Sequence, residues 1–198
     1  MASLFPIGLN PHELPDTGAA EIQLAYPEIQ IGISSCLMGE PVRYDGEHKR
    51  NDEIIRLLTE HFQLLPLCPE VAIGMGVPRP PIQLVNSRGP VRATGVANPG
   101  LDVTLALQDY ARAIASQYPN LCGYVFKQRS PSCGVDNAAV FENGIQVATN
   151  GRGIHAAGIM DCLPGIPVAG EDDLVNADTR EAFFDHVRRY AANNNRFN

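Results

Sequence analysis

No run of eighteen or more apolar residues occurs in this sequence, which leaves nothing suited to span a membrane as a helix. The first twenty residues lack a basic start followed by an apolar stretch, so they do not read as a secretory leader, and a cytoplasmic location is expected. Basic residues are in short supply. Against 22 Asp+Glu there are 15 Lys+Arg, a net charge of −7. That balance repels a polyphosphate backbone at long range and argues against non-specific nucleic-acid binding. Also missing are Cys-x-x-Cys, zinc-finger spacing and His-x-x-x-His. Five cysteines are an odd number in a chain expected in a reducing compartment, which makes a disulfide framework a poor reading.

What is present suits one globular domain. A hydrophobic share of 44% can build a core, and 198 residues are enough to close one. Residues 1–27 carry Pro6, Pro11, Pro15 and Pro27 with little periodicity and read as an N-terminal arm; the domain proper is expected over 28–198. Within it, β-branched alternation predicts a strand over Ile29–Ser35. A helix follows from Asp52 to Phe62 with Asn51 or Asp52 as its cap, then a strand over Gln63–Leu67. Gly and Pro crowd residues 73–100, which predicts a long excursion with short strands near Ile82–Val85 and Val91–Thr94. Beyond it come a helix from Asp102 to Tyr118, a strand over Leu121–Phe126, and a helix beginning after Gly151 or Gly153 and running to Cys162. A strand over Ile166–Ala169 and a helix over Thr179–Ala191 complete the series.

Strands and helices in this alternation predict an α/β fold: a three-layer, doubly wound domain of Rossmann or flavodoxin-like type with a mainly parallel sheet. Ligands of such sheets sit outside the carboxyl ends of the strands. Cys36 and Cys68 directly follow the first two strands, and Cys133 follows the Leu121–Phe126 strand after a short loop. Neighbouring strands are about 4.8 Å apart, so three thiols at these exits converge on one edge. Cys122 and Cys162 read instead as small buried hydrophobes. Arg43, Lys49, Arg50, Arg79, Lys127 and Arg129 lie near the three cysteines in sequence, so an anionic ligand could be met locally despite the acidic whole.

Three converging thiols suit three kinds of site. One is zinc with an open position, although catalytic zinc usually draws on histidine and only His48 is at all near. Another is a metal-free thiolate nucleophile, which needs one cysteine and a base. The third is an iron–sulfur cluster held by three cysteines with one iron left open. The residues alone leave these alternatives standing.

The wording of the motifs adds a resemblance. Ser34-Ser35-Cys36-Leu37-Met38-Gly39 with Arg43-Tyr44-Asp45-Gly46 is followed by Cys68-Pro69-Glu70-Val71 with Gly74-Met75 and Pro78-Arg79-Pro80. Ser130-Pro131-Ser132-Cys133-Gly134 closes the series. In this order the strings resemble the thiouracil desulfidase family, over roughly residues 29–175. The resemblance implies a [4Fe-4S] cluster on Cys36, Cys68 and Cys133, with thiocarbonyl sulfur bound at the open iron and hydrosulfide released without net electron transfer. Some relatives carry a second domain and act on thiolated tRNA. With no such domain expected here, and with the acidic balance, the expected substrate is free thiouracil or a small thio-nucleoside or nucleotide rather than tRNA.

Water activation then falls to Glu70, held beside Cys68 by Pro69, with Ser132 as a catalytic partner. Ser35, Arg79, Lys127 and Ser130 are the candidates to bind substrate. Arg43 and Asp45 read as an ion pair stiffening their loop, and Asp102 with Thr104 as a helix cap. Two other functions compete: a hydrolase or sulfur transferase using one cysteine nucleophile, and a non-catalytic cluster or metal carrier.

Overall fold

A computed structural model describes residues 29–86 and 89–194. The predicted arm over 1–27 lies outside the described residues. In chain order the elements are β1 (Gln30–Ser34), a 3-10 turn (Ser35–Met38), α1 (Asp52–Thr59), β2 (Gln63–Leu67), α2 (Pro69–Ala72), β3 (Ile82–Val85) and β4 (Arg92–Gly95). They continue as α3 (Thr104–Gln117), β5 (Leu121–Phe126), β6 (Ala138–Glu142), β7 (Ile145–Gly151), α4 (Ile154–Cys162), β8 (Val168–Gly170) and α5 (Ala177–Asn193).

The main sheet runs in the order β2-β1-β5-β8, and every pairing in it is parallel. Parallel neighbours need crossover connections, and the helices that supply them bury both faces. On one face Ile31 and Ile33 pack with Ile54, Leu58, Phe184 and Val187 of α1 and α5. On the other, Tyr124 and Phe126 meet Ala111, Ile114, Ala156 and Ile159 of α3 and α4. The result is the three-layer α/β arrangement expected. Gly32 sets the fit between β1 and β5, because a Cβ there would stand 2.5 Å from the Tyr124 ring.

A second, mixed sheet, in the order β4-β3-β6-β7, has its own core of Leu84, Ala93, Val140, Leu107 and Ile154. Its β6–β7 hairpin is absent from the sequence reading. Gly151 ends β7 rather than starting a helix, and α4 begins two residues past Arg152, with Gly153 as its N-cap. At α1 the cap is Asn51, whose side chain accepts from Ile54 N at 3.1 Å. At α5, Asn176 accepts from Asp178 N and Thr179 N and starts the helix earlier than Thr179. Among the described residues no helix is long and apolar enough to cross a membrane.

Candidate functional site: a three-cysteine cavity

Three chain segments bring thiols to the carboxyl edge of the main sheet. Cys36 sits in the 3-10 turn that leaves β1, closed by Gly39 in the left-handed region at φ 98°. Cys68 leaves β2 as the N-cap of α2, with Pro69 preset for the first helical position. Cys133 lies in the loop after β5, and that loop is fastened from two sides. Ser130 Oγ accepts from Ser132 N at 3.2 Å and Cys133 N at 3.1 Å. Opposite, Ile154 N and His155 N at the start of α4 donate to the carbonyls of Pro131 and Ser132, both at 3.0 Å. The contact is backbone against backbone: a Cβ on Gly153 would lie 2.5 Å from the carbonyl carbon of Ser132.

All three cysteines line one cavity of about 310 Å³, together with Ser34, Ser35, Glu70, Arg79, Lys127 and Ser130. Cys122 and Cys162 are not in its wall. The first donates to Asn120 O at 3.1 Å from within β5, and the second ends α4. Every cysteine is a free thiol. Among the described residues no three His, Cys, Asp or Glu side chains form a set closing on a single metal ion; the three thiols share a cavity rather than a point.

Their electrostatics reflect that sharing. Burial first, and then Cys68, push the Cys36 thiol up to about 11, while Lys127 and Arg43 pull the other way. Burial raises Cys68 against the opposing charge of Arg79. Cys133 is raised well above an ordinary thiol by burial and then by Glu70, Cys36 and Cys68, with the Ser34 hydroxyl opposing. Burial and mutual proximity disfavour ionising all three, and a cationic body between them would favour it. A group carrying several metal ions and accepting three thiolates fits this donor set.

Glu70 stands in the wall with both oxygens engaged. Arg79 Nε donates to Oε2 at 2.7 Å, and Ser132 Oγ donates to Oε1 at 2.8 Å. Arg79 is buried and also donates from Nη1 to Gly76 O at 2.9 Å. Ser132 is fully buried behind Glu70, whereas Ser130 and Ser35 face the cavity. Lys127 pairs with Glu171, whose other oxygen accepts from Gln128 N at 2.6 Å. Glu171 and Gln128 were not singled out from the sequence. The available signal was that Glu171 directly follows β8 and so exits at the same sheet edge as the cysteines. Arg43 and Asp45 form the expected ion pair at 3.2 Å; Asp102 Oδ1 accepts from Thr104 N at 2.9 Å, but the N-cap position of α3 is Val103, so Asp102 sits one residue before the cap expected of it.

Beside this cavity lies a second cleft of about 490 Å³, sharing Arg43, Lys127 and Arg129 with it and adding Lys49 and Arg50. Arg129 and Arg50 are offset by Asp172 and Asp52. Among the described residues Lys49 has no ion-pair partner. The cleft is a local basic surface on an acidic protein.

A family model for 2-thiouracil desulfurase matches residues 31–171. An uncharacterized protein, YbbK, from Bacillus subtilis (strain 168) is 31% identical over 153 residues, covering 73% of this chain and 97% of its own. The solved structure of a [4Fe-4S]-dependent thiouracil desulfidase, TudS, superposes with a TM-score of 0.61 at 29% identity, covering 78% of this chain and 99% of that one. The matched span runs from β1 to Glu171 and takes in all three cysteines and Glu70: the chain belongs to the 2-thiouracil desulfurase family.

Proposed function

We propose that this protein is a [4Fe-4S]-dependent desulfidase that converts a thiolated pyrimidine and water into the oxo-pyrimidine and hydrogen sulfide. The observation that carries the reading is the convergence of Cys36, Cys68 and Cys133 on one cavity with Glu70 in its wall. Among the described residues no fourth thiol lines that cavity, so three cysteines would hold the cluster and leave one iron for substrate. When bound, the cluster supplies a Lewis-acidic iron to the thiocarbonyl sulfur, with no net electron transfer.

The remaining work falls to the chain. Cys36, Cys68 and Cys133 hold the cluster as thiolates, and Arg43, Lys127 and Arg79 offset their charge. Glu70, fixed by Arg79 and Ser132, takes a proton from the water that adds to the ring carbon. It returns that proton as the carbon–sulfur bond breaks, and the second water proton follows the departing sulfur. Ser130 Oγ already accepts two backbone N–H groups, which leaves its own proton to donate to the pyrimidine.

The basic cleft beside the cavity favours a substrate carrying phosphate, a thio-nucleotide over the free base. A metal-free cysteine nucleophile is activated by a depressed pKa or an adjacent base, and burial works against the first route by shifting all three thiols upward. Anaerobic purification followed by a sulfide-release assay on 2-thiouracil, 4-thiouracil and their nucleotides tests the reading. Four irons per chain with sulfide released supports it. A colourless protein with full activity, or an iron-loaded one releasing no sulfide from any of them, overturns it.

A further inference from the structure

Gln128 stands two residues beyond β5 and lines both the three-cysteine cavity and the basic cleft beside it. It is 8% exposed, deep burial for a glutamine. Its main chain is bonded on both sides: the N–H donates to Glu171 Oε2 at 2.6 Å, and the carbonyl accepts from Lys127 Nζ at 3.2 Å. Its side-chain amide, by contrast, makes no hydrogen bond among the described residues. Nor is that amide sealed off, as Tyr124 Oη and both His155 nitrogens are, so it opens on the space the residue lines. A carboxamide withdrawn this far from water is costly unless something else pairs its donors and acceptor. The end of β8 is shaped around it. A Cβ on Gly170 would fall 2.6 Å from Gln128 Cδ and closer still to Nε2, so the bare glycine provides the seat for this amide.

We propose that Gln128 is a specificity-determining residue whose amide pairs with the N3 edge of the bound pyrimidine. This rests on the thiopyrimidine reading above. Whether C2 or C4 of the ring carries the sulfur, N3–H remains flanked by the carbonyl on the other carbon. A carboxamide complements that edge: Oε1 accepts from N3–H while Nε2 donates to the carbonyl oxygen. Two such bonds fix the rotation of the ring in its own plane and present the thiocarbonyl in one direction. A ring substituted at N3 cannot make them, and a site built to hydrogen-bond an N–H rejects the analogue that lacks it.

The test compares sulfide release from 2-thiouracil, 4-thiouracil and 4-thiouridine monophosphate with release from the N3-methyl counterpart of each. Anaerobically reconstituted, iron-loaded proteins are used. In the parent, methylation is expected to lower kcat/KM at least about tenfold, since a bond is lost and the amide oxygen is left unpaired. Gln128→Met keeps the length of the side chain and drops the amide. Its activity on the unmethylated rings should fall, and the ratio between unmethylated and methylated rings should approach unity. Gly170→Ala leaves the glutamine in place and takes its seat. The end of a flexible side chain gives way there, so iron should be retained and the ratio should fall as in Gln128→Met. This second variant reads the same ratio even where Gln128→Met does not hold iron. A parent that handles methylated and unmethylated rings alike overturns the role of Gln128 and leaves the desulfidase standing. So does an iron-loaded variant that loses equally on both. An iron-loaded parent that releases no sulfide from any of these rings overturns both.

Discussion

The Ser132 hydroxyl donates to Glu70 Oε1 at 2.8 Å across 62 residues of sequence, and so joins the turn after Cys68 to the loop carrying Cys133. Arg79 Nε grips the other carboxylate oxygen at 2.7 Å. On the proposed reading Glu70 is the general base, and a carboxylate held from both sides needs no reorganisation before it takes a proton. Replacing it by an amide removes the base and leaves the cysteines untouched. Glu70→Gln should therefore bind the full iron complement while sulfide release falls about 10²–10⁴-fold. Iron content and turnover, measured on one preparation, check this.

Gly153 carries a different prediction. Its Cβ position is filled by the backbone of Ser132 and Cys133, at 2.5 and 2.6 Å. Any side chain pushes the third cysteine and the Glu70 hydrogen-bond donor away from the cavity. Gly153→Ala should cost about 1–3 kcal/mol of stability through overpacking and should lower iron bound per chain, with the far-ultraviolet dichroism preserved.

The cysteines divide by place in the fold. Cys36→Ser, Cys68→Ser and Cys133→Ser should each abolish stable cluster binding, since each removes one of the three proposed thiolate ligands. Cys122→Ser and Cys162→Ser lie outside the cavity and should retain iron. Iron and acid-labile sulfide per chain, assayed after anaerobic reconstitution, distinguish the two groups.

Strand exits made the three cysteines legible in the sequence. Ile29–Ser35 and Gln63–Leu67 are short, bounded runs, and a residue directly after a parallel strand can lie at only one edge of the sheet. Glu70 was legible for the same reason, since Pro69 fixes its distance from Cys68. Ser132 was singled out as chemistry within the cavity, yet it stands behind Glu70 and orients it; a partner 62 residues away leaves no local pattern. Gly153 was illegible on similar grounds, because it matters only through residues distant in the chain. The β6–β7 hairpin went unread because β7 is mostly exposed along its length and shows no half-buried alternation.

His155 makes the fold sensitive to acid. Its ring is buried among Tyr110, Tyr124 and Phe126. Among the described residues neither nitrogen has a hydrogen-bond partner of full geometry. Burial holds its pKa at about 3, only partly offset by the Leu107 carbonyl, against 6.5 for a free histidine. Below 6.5 the unfolded chain takes up a proton that the folded one refuses until about 3, so stability is complete above that window and declines as pH falls through it. The slope is roughly 1.4 kcal/mol per pH unit. Urea midpoints of the parent should drop between neutral and mildly acid pH, and His155→Leu should flatten that drop.

The basic cleft predicts a discrimination between substrates. Lys49 has no ion-pair partner among the described residues, and Arg129 projects from a left-handed backbone position at φ 57° that asparagine also tolerates. Lys49→Ala and Arg129→Asn should each raise KM for a thiouridine monophosphate about tenfold, the loss expected of one exposed charge-assisted phosphate contact. KM for free thiouracil should hold in Lys49→Ala, because that ligand carries no phosphate and Lys49 lies outside the cavity wall that Arg129 helps to form. Added salt should weaken nucleotide binding to the parent and affect the Lys49→Ala variant less, since screening acts on the charge already removed. Steady-state kinetics on base and nucleotide at two ionic strengths provide the measurement. Equal loss on both substrates would show that these cations support the cavity itself rather than a phosphate.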